Sequence, residues 1–123
     1  MAKYLRDPGE FQNVYRHGKR YDGTLITVFV IDNSGLEHRL GVTASRKALG
    51  NAVHRNRAKR LLRESFRSSE TCLRALSSRY DWVMNAKRNV LSEKMGAAAK
   101  EFQEIIKKVG RAEVQRTLAD SNS

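Results

Sequence analysis

Apolar residues recur along this chain with two different periods, and the changes between them mark its elements. Asp7-Pro8-Gly9-Glu10 opens a first helix: Asp7 suits the cap, Pro8 the first helical position and Glu10 the acidic position of a capping box. Phe11, Val14 and Tyr15 follow at spacings of three and four, and Gly18 offers a stop. The run Thr24 to Ile31 is rich in β-branched and aromatic residues and predicts a strand, followed by turn chemistry at Asp32-Asn33-Ser34-Gly35. Arg39 to Ala44 then alternates, with Leu40, Val42 and Ala44 on one face and Arg39, Gly41 and Thr43 on the other. Together the two segments predict a hairpin.

A long helix is expected from Asn51 to Arg67, then a shorter helical stretch around Cys72, Leu73 and Leu76. Trp82, Val83, Met84 and Ala86 predict a further strand. Ser92 is placed as the cap of a last helix carrying Met95, Ala98, Phe102, Ile105, Ile106 and Val109, with Gly110 as its stop. This divides the chain into one domain over residues 1–110 and a polar, flexible tail over 111–123. The order of helix, strands, helix, strand and helix predicts an α+β pair of layers. One strand is awkward for that picture. Ile26, Val28 and Val30 face one way, while Leu25, Phe29 and Ile31 face the other. A sheet covered on one side only leaves Phe29 open; a sheet covered on both sides buries it. The residues leave both readings open.

A chain of 123 residues, 40% of them hydrophobic, suits a single domain that needs no disulfide or metal staple. The mean hydropathy is −0.62, and no apolar run approaches the roughly 18 residues of a membrane span, so no membrane partner is expected. The first residues carry no apolar stretch behind their positive charges, unlike a secretory signal. Cys72 is the single cysteine, which excludes an internal disulfide and fits a reducing, cytoplasmic location. Charge changes the picture most. Twenty-four Lys and Arg stand against thirteen Asp and Glu, for a net charge of +11. An anionic partner would relieve that repulsion, and nucleic acid is the commonest one.

The usual nuclease chemistry is missing from the pattern. His17, His38 and His54 fall in different elements, the acids are scattered, and neither zinc spacing nor a Gly-rich phosphate loop is present. Cations dominate instead. Residues 45–67 read SRKALGNAVHRNRAKRLLRESFR, with Glu64 as the one acid. On a helical wheel His54, Ala58, Leu61, Leu62 and Ser65 form one stripe, with Phe66 at its edge. Asn56, Lys59, Arg60, Arg63 and Arg67 take the opposite side, Arg57 continues that arc, and Arg55 lies at the border of the apolar face. A solvated amphipathic helix has this form too. The density of cations, with Arg46 and Lys47 just upstream, favours a phosphate-binding ridge.

Lys47, Gly50, Asn51, Ala52, Val53, then Arg55-Asn56-Arg57, Lys59-Arg60 and Arg63-Glu64 closely resemble the signature of the bacterial ribonuclease P protein component. Phe11-Gln12, Val14-Tyr15, His17-Gly18, Leu40-Gly41-Val42 and Asp81-Trp82-Val83 extend the resemblance in the right order, over about residues 10 to 107. The resemblance implies an α/β sandwich with a four-stranded sheet, a left-handed βαβ crossover and a long basic helix. It also implies a protein subunit of an endoribonuclease, inactive alone, that helps a catalytic RNA remove the 5′ leader of precursor tRNA. Magnesium would serve that reaction bound mainly by RNA, and the protein would need no oligomer. Arg46, Lys47, Arg55, Asn56, Arg57, Lys59, Arg60 and Arg63 would lie against the catalytic RNA. Phe11, Tyr15 and Phe29 would line a cleft for the single-stranded leader, although Phe11 and Tyr15 taken alone suit a core. Lys19 and Arg20 are placed to add charge to that cleft. The competing readings are a ribosomal or other structural RNA-binding protein, and a DNA-binding helix-turn-helix module. The flanking strands count against the latter.

Overall fold

The computed structural model describes residues 3–94 and 96–121; Met95, expected on the last helix, lies outside them, as do residues 122 and 123. In chain order the elements are β1 (Lys3–Tyr4), α1 (Pro8–His17), β2 (Lys19–Asp22), β3 (Ile26–Asp32), β4 (Arg39–Thr43), α2 (Arg46–Leu49), α3 (Ala52–Ser68), α4 (Glu70–Arg74), β5 (Tyr80–Ala86), a 3-10 turn (Arg88–Ser92) and α5 (Ala97–Ser121). The α+β class holds. Four strands make the body of the sheet, and the two-residue β1 extends one edge, giving the order β1-β4-β5-β3-β2.

Every residue of β5 except Asn85 is buried, as a strand with neighbours on both edges and cover on both faces requires. It pairs parallel to β4 and antiparallel to β3. The expected hairpin is therefore corrected: β5, which comes much later in the chain, lies between β3 and β4. Residues 33–38 cross the end of β5, spanning two inter-strand spacings, roughly 10 Å, where a tight hairpin turn spans one. Asn33 holds that crossing, its N–H donating to Arg79 O (2.9 Å) and its amide nitrogen to Asp81 Oδ1 (2.9 Å). The unanticipated β2, Lys19-Arg20-Tyr21-Asp22, is polar because it is an edge strand.

The period of two in the sheet separates two cores. On one face Ile26, Val28, Val30, Leu40, Trp82 and Met84 meet Ala58, Leu62 and Phe66 of α3 and Phe102, Ile105, Ile106 and Val109 of α5. On the other, Val83, Phe29 and Ile31 meet Leu5, Phe11 and Val14 under α1. Both faces are covered, but α1 is a single helix on a wide sheet, so Phe29 is half-buried. Leu25 departs from the alternation because it precedes β3, and it joins the larger core.

Helix α5 corrects three boundaries. Ser92 does not cap it; Ser92 ends the 3-10 turn, and Gly96, at φ +88°, leads into the helix. Gly110 does not stop it, and residues 111–121 are helix rather than a loose tail. The reason lies past Gly110, where the buried Glu113 accepts from Ser77 N (2.9 Å), Ser78 N (3.0 Å) and Tyr80 Oη. Burial pushes the Glu113 carboxyl up, but those donors and the nearby Arg116 outweigh it and hold it below the usual range. Burial, with the bond to Glu113, pushes Tyr80 up to about 12. At the other end of α5, Glu101 accepts from Thr24 N, Leu25 N and Ile26 N, clamping the β2–β3 turn. Two carboxylates thus strap α5 to opposite ends of the sheet.

His38 is a third fastening. Its Nδ1 accepts from Tyr80 N (3.1 Å) and Trp82 Nε1 (3.1 Å), so Nε2 carries the proton and donates to Leu73 O (3.1 Å). A second proton on Nδ1 would confront two donors. Burial, reinforced by Arg79, holds its pKa below 6.5. The unfolded chain therefore takes up that proton at higher pH than the folded one. His38 contributes its full stability above about pH 6.5 and loses it as pH falls through the lower folded value. Thermal unfolding midpoints should decline from about pH 7.5 to about pH 5.5. In His38→Gln, which cannot titrate, the decline over that window should be shallower; an equally steep decline would exclude His38 as its source.

Candidate nucleic-acid interface

The motif that stands out in the sequence serves two purposes in the structure. Gly50 takes φ +79°, a region that favours glycine, and this turns the chain from α2 into α3. Asn51 caps α3, its Oδ1 accepting from His54 N (2.9 Å). On the face toward the sheet, Ala58, Leu62, Ser65 and Phe66 are buried and Leu61 is half-buried. His54, expected on that stripe, is exposed, because the first turn of α3 carries it clear of the core.

The cations divide by position. Arg46, Lys47, Arg57, Arg60, Arg63 and Arg67 are exposed, as is Asn56, whereas Arg55 and Lys59 are half-buried along one flank. Among the described residues none of these cations is in an ion pair. Arg46, Lys47, His54 and Arg57 line a depression of about 500 Å³ together with Arg88. Arg88 escaped the sequence reading because it belongs to no helical stripe; its one signal is its place two residues after a strand. Arg55 sits as its wheel position predicts, but its Nε is buried without a hydrogen-bond partner.

The second surface lies on the sheet face under α1, built in cross-strand rows. Arg39, Asp81 and Ile31 form the first row, Gly41, Val83, Phe29 and Arg20 the second, and Thr43, Asn85, Thr27 and Asp22 the third. In the first row Arg39 forks onto Asp81 (Nε–Oδ1 2.7 Å, Nη2–Oδ2 2.6 Å) and reaches Glu10 Oε2 (2.7 Å), tying α1 to the sheet. Glu10 also accepts from Arg6 N and Asp7 N at the start of α1; these backbone bonds lead in holding its carboxyl below the usual range.

In the second row Gly41 makes room for Phe11. A Cβ there would lie 2.5 Å from Phe11 Cε1 and 3.3 Å from Leu5 Cδ1. Tyr15 and Phe29 meet edge to face at 4.8 Å between centroids, and the Arg20 guanidinium lies 5.7 Å from the Phe29 ring centre. Phe11, Tyr15 and Phe29 are thus brought together as the motif implied. Phe11 and Phe29 are half-buried and Tyr15 is 39% exposed, so all three retain surface for a ligand. Arg20 joins them; Lys19 does not. Strand alternation turns Lys19 to the opposite face, where it sits 5.1 Å from the Tyr21 ring centre.

The third row is polar and was missed as part of the site. Asn85 Oδ1 accepts from Tyr15 Oη (2.8 Å) and Thr43 Oγ1 (2.6 Å), and Thr27 Oγ1 donates to Asp22 Oδ1 (2.7 Å). An asparagine in the otherwise apolar run from Trp82 to Ala86 was the available signal. Thr43 stands three residues before Arg46, and Asn85 three before Arg88. The aromatic cleft and the basic depression therefore converge at the C-terminal ends of the parallel strands β4 and β5.

The sequence profile of the family described as Ribonuclease P matches residues 2–110. The ribonuclease P protein component of Clostridium kluyveri is 33% identical over 106 residues, covering 86% of this chain and 93% of that protein. That of Syntrophus aciditrophicus is 36% identical over 107 residues, covering 87% of each. The RNase P protein of Staphylococcus aureus superposes with a TM-score of 0.72 at 25% identity, covering 89% of this chain and 96% of that one. The RNase P protein from Thermotoga maritima superposes with a TM-score of 0.74 at 23% identity, covering 86% and 96%.

The unsatisfied Arg55 Nε makes a specific prediction. Arg55→Met keeps an unbranched stem on the flank of α3 and removes a buried polar atom that lacks a partner. Thermal or urea unfolding of the free protein should show unchanged or increased stability, by up to about 1–3 kcal/mol. Arg55→Ala, which also removes the stem, should be the less stable of the two; the reverse order would mean the stem contributes nothing.

Proposed function

The chain belongs to the ribonuclease P protein family, the protein component of an endoribonuclease that matures the 5′ end of tRNA, and on that premise we propose how its two surfaces divide the work. The exposed cations of α2 and α3 bind the catalytic RNA through its phosphates, and the cleft beneath α1 holds the unpaired leader of precursor tRNA. The observation that carries this reading is the cleft itself: three aromatic rings, partly open, on a sheet face rimmed by Arg20. A structural RNA-binding protein has no need to keep rings at a sheet surface, where every base can stack on them regardless of its identity.

On the basic side, the cations of α3 project from a rigid element whose other face is fixed by Ala58, Leu62 and Phe66. They form no ion pairs among the described residues, so binding a phosphate breaks no existing contact. Convergence of the two surfaces at the ends of β4 and β5 would deliver the leader beside the catalytic RNA. Hydrolysis is assigned to the RNA. The magnesium that serves the reaction is assigned to the RNA as well, and no residue of this chain is proposed to hold it; among the described residues no three His, Cys, Asp or Glu stand together as a metal-binding cluster. No step is assigned to a protein-bound ion. Among the described residues no helix is long and apolar enough to cross a membrane; a cytoplasmic location is proposed from the substrate.

Two measurements on the holoenzyme, reconstituted with its catalytic RNA and magnesium, test this division. Phe29→Ala should weaken precursor tRNA binding by about 1–3 kcal/mol while leaving mature tRNA almost unaffected. Thermal unfolding measured alongside separates this from lost packing, and equal weakening of both tRNAs in a folded variant would contradict the leader role. Arg57→Ala and Arg60→Ala should each lower affinity for the catalytic RNA. Each should also flatten the log–log dependence of that affinity on salt by just under about one unit. An unchanged slope after losing both would leave the ridge a solvated face.

A further inference from the structure

Asn85 interrupts the otherwise apolar run from Trp82 to Ala86 of the central strand β5, and its two polar atoms have different fates. Its Oδ1 takes hydrogen bonds from Tyr15 Oη at 2.8 Å and Thr43 Oγ1 at 2.6 Å. The 2.6 Å contact with Thr43 is shorter than the N–H···O range of about 2.7–3.2 Å, which places the carbonyl on this side and the amide nitrogen on the other. The nitrogen has no partner among the described residues. Nor is it sealed away, since the one fully buried, unpartnered side-chain polar atom among those residues is Arg55 Nε.

The amide is close to the aromatic platform. Asn85 stands one row beyond Val83, which pairs with Phe29, so it is the diagonal neighbour of Phe29 across β3 and β5, at about 7–8 Å between backbones. Tyr15, the other platform ring, is bonded to it directly. Its neighbours in the row do not compete for the same ligand atoms, because Thr27 donates to Asp22, and Asp22 is paired with Lys87 (2.9 Å).

We infer that Asn85 is a specificity-determining residue of the cleft, donating from Nδ2 to a carbonyl oxygen or ring nitrogen on the edge of a stacked leader base. The inference rests on the leader-binding reading of the cleft given above. An asparagine commonly recognises adenine with both its oxygen and its nitrogen. Here Tyr15 and Thr43 occupy the oxygen, leaving donors only. Adenine sets its amino donor beside the acceptor on both its Watson–Crick and Hoogsteen edges, which opposes a donor-only reader. Guanine instead sets two acceptors side by side, O6 and N7, with no donor between them. The cleft therefore favours guanosine over adenosine at the base that sits against Asn85.

The test uses reconstituted holoenzyme and precursor tRNAs whose leaders differ only in carrying guanosine or adenosine, and reads the ratio of the two affinities. Asn85→Asp keeps the acceptor for Tyr15 and Thr43 but loses the donor; Asn85→Ala removes the group without adding charge. Both should shift the ratio toward adenosine by about three- to tenfold, the range one net hydrogen bond supports. Because the ratio is the readout, a uniform loss from the added charge of Asp cancels. Should Ala disturb the fold in thermal unfolding, Asp, which keeps both hydroxyl bonds, decides. A ratio unchanged within twofold in Asn85→Asp overturns the inference. Phe29→Ala, measured in parallel, separates the two failures. If it abolishes leader-dependent affinity while Asn85→Asp leaves the ratio alone, only the role of Asn85 is lost; if leader dependence survives Phe29→Ala, the cleft reading fails and this inference with it.

Discussion

The parallel pairing of β4 with β5 is the constraint on which the rest of the molecule depends. Two parallel neighbours cannot be joined by a turn, so the chain between them must cross a face of the sheet, and here it does so as α2, α3 and α4. That requirement puts the basic helix on the larger core. It leaves the opposite face to α1, the one helix there to cover it. Because one helix cannot cover a whole sheet, part of that face stays open, and the open part is the aromatic cleft. The same pairing brings the ends of β4 and β5 together, so that residues leaving one strand toward α2 and the other toward the 3-10 turn share a single rim.

The net charge of +11 understates how uneven the electrostatics are. Carboxylates are used inside the architecture. Glu10 and Asp81 bind Arg39 between α1 and the sheet, Glu101 and Glu113 strap α5 to loops at opposite ends, and Asp22 holds Lys87. Glu70 and Glu104 pair with cations on their own helices. These acids are thus committed elsewhere, and the cations of α3, with Glu64 as the one acid on their helix, form no ion pair among the described residues. A polyanion binding there meets charge that the fold has left unspent, which is why affinity on this side should follow salt. The cleft has a different character: rings stack on bases of any kind, and selectivity must come from a group at their edge. Asn85 is that group, since its oxygen is engaged by Tyr15 and Thr43 and its nitrogen is not.

Much of this was legible in the sequence. The chain wrote α1 with Asp7, Pro8 and Gly18, and α3 with Asn51 and the stripe around Leu62, because caps and helical periods are local physics. The cationic ridge followed from the same wheel, including Arg55 at its border. The resemblance carried by Arg55-Asn56-Arg57 and its flanks supplied the family and drew Phe11, Tyr15 and Phe29 into one site, which no spacing along the chain could have done. What only the tertiary structure decided was which strands are neighbours and which polar groups are spent. The run ending in Asp32-Asn33-Ser34-Gly35 has the chemistry of a hairpin, yet β5 arrives later and takes the place between, since a strand covered on both faces belongs at the centre of the sheet. Gly110 has the chemistry of a helix stop, yet Glu113 finds Ser77, Ser78 and Tyr80 across the fold and holds the helix together past it. Lys19 and Arg20 are adjacent in sequence but part company because a strand sends them to opposite faces. Local propensities fix what each segment can be; partners distant in the chain fix which of those possibilities is realised, and their proximity is a property of the folded molecule alone.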